Sequence, residues 1–147
     1  MEKLNFPTYK FKIITENNQL YIWDNIRKKH VRLTPEEWVR QHVVRYLIED
    51  KNYSSSLIAI EQTIKVNNNT KRCDIVLYSN TGLPDMIVEC KAPNVKISQK
   101  TFDQIAVYNI LLKVDYLFVT NGIEHFCSKM DYKNNTYNFI KDIPVKK

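Results

Sequence analysis

The chain has only two glycines, Gly82 and Gly122, among its 147 residues. That scarcity excludes a G-x-x-x-x-G-K-[ST] phosphate loop, so no ATP site is expected. Cysteine is sparse and odd in number: Cys73, Cys90 and Cys127 form no C-x-x-C pair. Neither a disulfide framework nor a zinc site is indicated. The three thiols sit in or beside apolar runs, where a free Cys behaves as a small buried hydrophobe, and a reducing cytoplasm is the expected setting. No apolar run approaches the roughly 18 residues of a membrane span. Met1–Ile14 alternates lysines with aromatics instead of building a secretory apolar core. Low complexity and internal repeats are absent too.

What remains is an ordinary globular composition, 44% hydrophobic and 26% charged. The length suits one domain burying about 70% of its unfolded surface. The formal net charge of +6 suits a polyanionic partner such as nucleic acid.

The stretch from Lys71 to Pro93 is the centre of the chain. Lys71-Arg72-Cys73-Asp74-Ile75-Val76-Leu77-Tyr78 and Leu83–Pro93 flank a turn at Ser79-Asn80-Thr81-Gly82, the signature of a hairpin. Side chains alternate along a strand, so Glu89 and Lys91 share a face while Cys90 points away. Strand pairing allows Asp74 to join them. Two carboxylates and an ammonium then converge, a set that suits Mg²⁺ and phosphate chemistry. A hairpin with one solvent-facing carboxylate per strand and a surface Glu89–Lys91 pair is the other reading.

Around this hairpin the pattern predicts mixed α/β order. Tyr9–Thr15 and Gln19–Trp23 around Glu16-Asn17-Asn18 read as an N-terminal hairpin. Arg27–Arg32 reads as a basic connector or a phosphate-contacting patch. Thr34 caps a helix with Pro35 at its first position and Glu37 completing a capping box, and the helix is expected to run to about Asp50. Glu36 and Glu37 project near the stripe Val43/Val44/Leu47/Ile48, so either can lean toward the sheet; both also suit the positive helix end. Leu57–Val66 reads as a strand containing Glu61, and Asn67–Thr70 as a turn. Ser98 caps a second helix over Gln99–Lys113 with apolar positions Phe102, Ile105, Ala106, Ile110 and Leu111. Strands at Asp115–Thr120, Ile123–Ser128 and Thr136–Ile140 complete the order, with a crossover through the second helix.

With these elements placed, the chain resembles a PD-(D/E)-x-K nuclease core. More closely, it resembles the N-terminal nuclease domain of type I restriction enzyme R subunits, in a small stand-alone form. The likeness covers Trp23 to Met130 and rests on an ordered set: Asp24–Lys29, Thr34–Gln41, Arg72–Val76, Glu89–Pro93, Gln104–Tyr108 and Thr120-Asn121-Gly122. It implies a restriction-endonuclease-like mixed β-sheet flanked by helices, with an N-terminal hairpin extension. Residues 1–33 would form the hairpin and connector, 34–131 the core, and 132–147 a last strand and tail.

The resemblance further implies Mg²⁺-dependent hydrolysis of DNA phosphodiesters, with Mn²⁺ as a substitute metal. Asp74 and Glu89 match the metal-binding acids, Lys91 the catalytic lysine, and Glu37 the helical acid, with Glu36 the alternative. Gln104 and Tyr108 match a Gln-x-x-x-Tyr element that completes the site and contacts DNA; packing under the helix is the plainer role for Tyr108. Arg27, Lys28, Lys29, Arg40 and Lys100 are candidate phosphate contacts. Cys73 departs from the proline of the motif's name. Expected partners are DNA, a second copy of the chain, and helicase or restriction-system subunits. A non-catalytic DNA-binding or docking module, and a purely structural subunit, are the rival readings.

Overall fold

The computed structural model describes residues 1–147 other than the side chain of Val66. Two sheets organise it. A three-stranded antiparallel sheet comprises β1 (Ile13–Glu16), β2 (Gln19–Asp24) and β3 (Lys29–Arg32). Asn17 and Asn18 take φ of 52° and 63°, the left-handed pair that a two-residue hairpin turn needs. The basic stretch read as a connector in fact supplies β3. Val31 pairs with the fully buried Ile22, which anchors the strand, while Lys29, His30 and Arg32 stay exposed.

Helix α1 (Pro35–Arg45) follows directly. Thr34 Oγ1 accepts from Glu37 N at 3.0 Å, and Pro35 costs nothing in the first turn, where its missing N–H has no partner to lose. Only half of the expected capping box forms, because the Glu37 carboxylate is drawn to arginines instead. Beyond Arg45 the helix widens into a π-type turn over Tyr46–Asp50, with Lys51 N donating to Tyr46 O.

The second sheet has the order β4 (Ile58–Val66), β5 (Asn69–Tyr78), β6 (Pro84–Cys90), β7 (Tyr116–Thr120), β8 (His125–Asp131), β9 (Thr136–Ile140). Neighbours are antiparallel except β6 and β7, which run parallel because helix α2 (Gln99–Leu112) crosses over between them. The sheet is thus sandwiched. On one face Val39 and Val43 of α1 and Leu47 of the π-type turn, all fully buried at i, i+4 and i+8, meet Ile75, Leu77, Met86 and Val88. Burial of each such side chain stabilises the fold by about 1.5–3 kcal/mol. On the other face Phe102, Ile105, Ala106 and Leu112 of α2 meet Val76, Ile87, Leu117 and Val119. Leu111 points outward, contrary to the sequence pattern. Buried Asn109 holds its slot by donating Nδ2 to Tyr116 O at 2.9 Å, and Leu112 closes the stripe.

The strands do not alternate regularly. Ile58, Ile60, Ile75 and Leu77 face α1, whereas Ile64 and Cys73 belong to the α2-side core. A regular strand would keep Cys73 with Ile75 and Ile60 with Ile64. The reversal centres on Glu61, whose φ is +53°, between the pairs Ile60↔Ile75 and Gln62↔Cys73. A non-glycine residue held there costs roughly 1–3 kcal/mol. Across from Glu61 stands Asp74, and the twist frees its carboxylate from either core.

Candidate active site

The acid cluster begins where the β5–β6 ladder stops. Pairing runs from Leu77↔Met86 to Ile75↔Val88. One residue further, the Asp74 carboxylate replaces a backbone acceptor: Cys90 N donates to Asp74 Oδ2 at 2.7 Å. On the far side Lys91 N donates to Thr120 O at 2.8 Å, so β7 holds the strand end that carries Glu89 and Lys91. Asp74 and Glu89 are thereby fixed side by side by main-chain bonds.

Glu89 is 6% exposed. Burial first, and then the adjacent Asp74 charge, push its carboxyl above the usual range, against the opposing pull of Lys71. Lys71 Nζ lies 3.0 Å from Glu89 Oε1, but Oε1 has no donor in hydrogen-bond geometry. The ammonium also sits 5.1 Å from the ring centroid of Tyr108. Burial alone would lower the Lys71 pKa; Glu89 outweighs it and raises it. Glu36, half-buried in the first turn of α1, is likewise raised by burial and then by the Asp74 charge, with Arg40 and Lys91 opposing. The thiol of Cys90 is driven far up by burial and feels Asp74, Arg40, Glu89 and Glu36 at once. These charges therefore converge around the end of β6.

Glu37 occupies a different environment. Its Oε1 accepts from Arg27 Nη2 at 2.9 Å and Arg40 Nη1 at 3.0 Å, and its Oε2 from Gln41 Nε2 at 3.1 Å. Asp24, fully buried, extends this cage by accepting from Arg27 Nε at 2.7 Å and Gln41 Nε2 at 3.0 Å. Arg40 ties cage to cluster, since its Nη2 donates to Asp74 Oδ1 at 3.2 Å and Nη1 to Glu61 Oε1 at 3.5 Å. Both helical acids reach Arg40, Glu36 at 3.9 Å and Glu37 at 3.0 Å; Glu36 also feels Asp74 and Lys91, while Glu37 also reaches Arg27.

The remaining site candidates divide by exposure. Arg27 and Arg40 are committed to the cage, their side chains 17% and 7% exposed. Lys28, Lys29 and Lys100 are exposed, as are Gln104 and Tyr108 on α2. Sequence reasoning did not single out Lys71 or Asp24 for this site. The only advance signal for Lys71 was a lysine opening a strand three residues before the acid.

The donor set can be tested against a magnesium ion. Hard carboxylate oxygens, one of them buried without a hydrogen-bond donor, beside a second carboxylate whose charge is only partly offset, suit a cation that takes one or two protein carboxylates and retains water. Among the described residues no group of three or more His, Cys, Asp or Glu has ligand geometry. The residues present fit Mg²⁺ and not a closed, all-protein metal site. A cleft of about 660 Å³, lined by Phe6, Tyr46, Phe118, His125 and Cys127 among others, shares no residue with the acid cluster. A polymer backbone needs an open edge more than an enclosed cavity, so chemistry is the better guide here.

Residues 35–144 match the family model described as the type I restriction enzyme R protein N terminus. The chain belongs to this family. A solved structure described as the fragment of an HsdR subunit of a type I restriction enzyme from Vibrio vulnificus has the same fold, with a TM-score of 0.53 at 21% identity. The match covers 77% of this chain and 24% of that one, so the R-protein N-terminal chain spans about a quarter of that relative. No protein among the curated sequences matches. Among the described residues no helix is long and apolar enough to cross a membrane.

Proposed function

We propose that this R-protein N-terminal domain is a Mg²⁺-dependent deoxyribonuclease hydrolysing DNA phosphodiester bonds. The observation that carries the reading is the placement of buried Glu89 beside Asp74 at the strand end that also carries Lys91, with Glu89 Oε1 facing the Lys71 ammonium at 3.0 Å. Asp74 and Glu89 would hold the ion, with Glu36 the helical acid that feels the Asp74 charge. Bound there, magnesium supplies Lewis-acid polarisation of a phosphoryl oxygen and lowers the pKa of its water. Lys91 orients the attacking water and offsets charge developing on the phosphate. Arg40 holds Asp74 in place through Oδ1. Lys28, Lys29 and Lys100 contact backbone phosphates, and Gln104 and Tyr108 border the substrate path on α2. Restriction-system or helicase subunits and a second copy of the chain are the partners this reading entails.

One observation favours a different role. Arg40 and Lys71 already face Asp74 and Glu89, so the pair is partly offset without a metal, as a binding-only module of the same fold would have it. Plasmid and oligonucleotide cleavage with Mg²⁺ or Mn²⁺ separates the two. Cleavage by the wild type that Asp74→Ala and Lys91→Ala each abolish supports the nuclease. DNA binding without cleavage, and without any divalent requirement, supports the module.

A further inference from the structure

The register of the small sheet sorts its side chains cleanly. Ile22, Asp24, Val31 and Leu33 turn toward the body of the protein, with Ile22 and Asp24 fully buried. The opposite face carries Tyr21 and Trp23, two residues apart on β2, and beside them Arg32 and His30 on β3, paired as Tyr21↔Arg32 and Trp23↔His30. Lys12 joins the row from the other side, its carbonyl accepting from Trp23 N at 2.9 Å. Tyr21 and Trp23 are partly exposed, and Lys12, His30 and Arg32 are exposed. Lys28 follows in the β2–β3 turn, and Ile14 and Glu16, paired with Tyr21 and Gln19, share this face, Glu16 being the one exposed acid among the described residues of this sheet.

We propose that this outer face is a docking surface for single-stranded DNA. The backbone positions of Tyr21 and Trp23 are about 6.7 Å apart along one strand, and the Trp23 ring meets His30 edge-on at 5.1 Å. Flanking cations complete what an unpaired strand requires: rings on which successive bases stack, and positive charge for its phosphates. A duplex hides its base faces from such a platform, which favours the single strand. The surface is also rigidly joined to the acid cluster. Asp24, at the end of β2, accepts from Ile26 N, Arg27 N and Arg27 Nε, and Arg27 passes the link to Glu37 in the first turn of α1. DNA seated on the sheet is therefore fixed relative to Glu36 and its neighbours. Binding here needs neither metal nor cleavage.

The test is fluorescence anisotropy of a labelled thymidine oligonucleotide, about a dozen nucleotides long, with the full chain in EDTA. Lys12→Glu, Arg32→Glu and Trp23→Leu are compared with Lys133→Glu, the same charge change in the β8–β9 turn. Each of the first three should weaken binding about tenfold and Lys133→Glu less than about twofold, with single strand preferred to duplex. The two charge reversals are at exposed positions and keep the test informative should Trp23→Leu misfold. Equal weakening by Lys133→Glu, tighter binding of duplex, or tighter binding of the uridine RNA counterpart would each overturn the assignment. If cleavage fails while this pattern holds, the nuclease reading falls and the platform stands.

Discussion

Arg40 Nη2 donates to Asp74 Oδ1 at 3.2 Å while Nη1 donates to Glu37 Oε1 at 3.0 Å, so one guanidinium spans the acid cluster and the arginine cage. The side chain is 7% exposed, and its Nε has no partner among the described residues. A buried charge of this kind is costly to unpair, because the carboxylates it leaves behind stay desolvated. Arg40→Ala should cost about 3–5 kcal/mol in urea unfolding. Arg40→Lys keeps the charge but not the fork, and should recover only part of that. Full stability in Arg40→Ala would show that the bridge is idle.

Glu89 gives a pH signature. Its folded carboxyl is raised by burial and the Asp74 charge above its ordinary 4.5. The folded state then holds this proton more tightly than the unfolded one, so the contribution to stability is fully present below 4.5 and is lost as pH rises through the folded value. Glutamine has no proton to lose. The Tm of Glu89→Gln relative to wild type should therefore increase as pH is raised from 4.5 through the folded value and level off above it, even though the substitution removes a proposed metal ligand. A pH-independent difference in calorimetry would contradict the raised carboxyl.

Much of this arrangement is legible in the sequence where local chemistry decides it. Thr34-Pro35 starts α1, Ser98 starts α2, and the alternation around Ser79–Gly82 marks β5 and β6 as a hairpin. Alternation allows Asp74, Glu89 and Lys91 to converge, but it is the resemblance to R-subunit nuclease domains that groups them as a set. What stays hidden depends on partners distant in the chain. β3 has a single inward apolar residue, Val31, and exists because Ile22 receives it. The face reversal at Glu61 breaks the period-two rule that assigns sides, so Lys71 could not be placed beside Glu89 by alternation. Glu37 and Glu36 look equivalent on a helical projection, and Arg40 on the same helix reaches both; Arg27, arriving from the β2–β3 turn, is what singles out Glu37.

Gly122 offers a check on how the N-terminal segment is held. Its φ is +89°, and a β-carbon there would lie 2.8 Å from Leu4 Cδ2 and 3.1 Å from Val39 Cγ2. The same residue's carbonyl accepts from Asn5 N at 2.8 Å, so the segment docks main chain to main chain. Gly122→Ala should cost at least roughly 1–3 kcal/mol from backbone strain, with a steric share added. Leu4→Ala removes the nearest clash but not the strain. The double variant should be less destabilised than the sum of the singles, and strict additivity in a double-mutant cycle would show that Leu4 is not the obstructing group.

Lys71 tests the site from the opposite sign. Its ammonium is the leading influence that lowers the Glu89 pKa. Lys71→Met keeps the length of the side chain and its packing over Tyr108 while deleting the charge. The Glu89 carboxyl should then titrate at higher pH than in wild type, visible in carbon-detected NMR of the carboxyl without any turnover. Because the proposed reaction requires ionised Glu89, the acid limb of the cleavage profile should move to higher pH by the same amount. Tyr108→Phe preserves the ring under the ammonium and should leave both titrations where they are. A Lys71→Met protein whose Glu89 titrates unchanged would mean that Lys71 does not govern this carboxylate in solution.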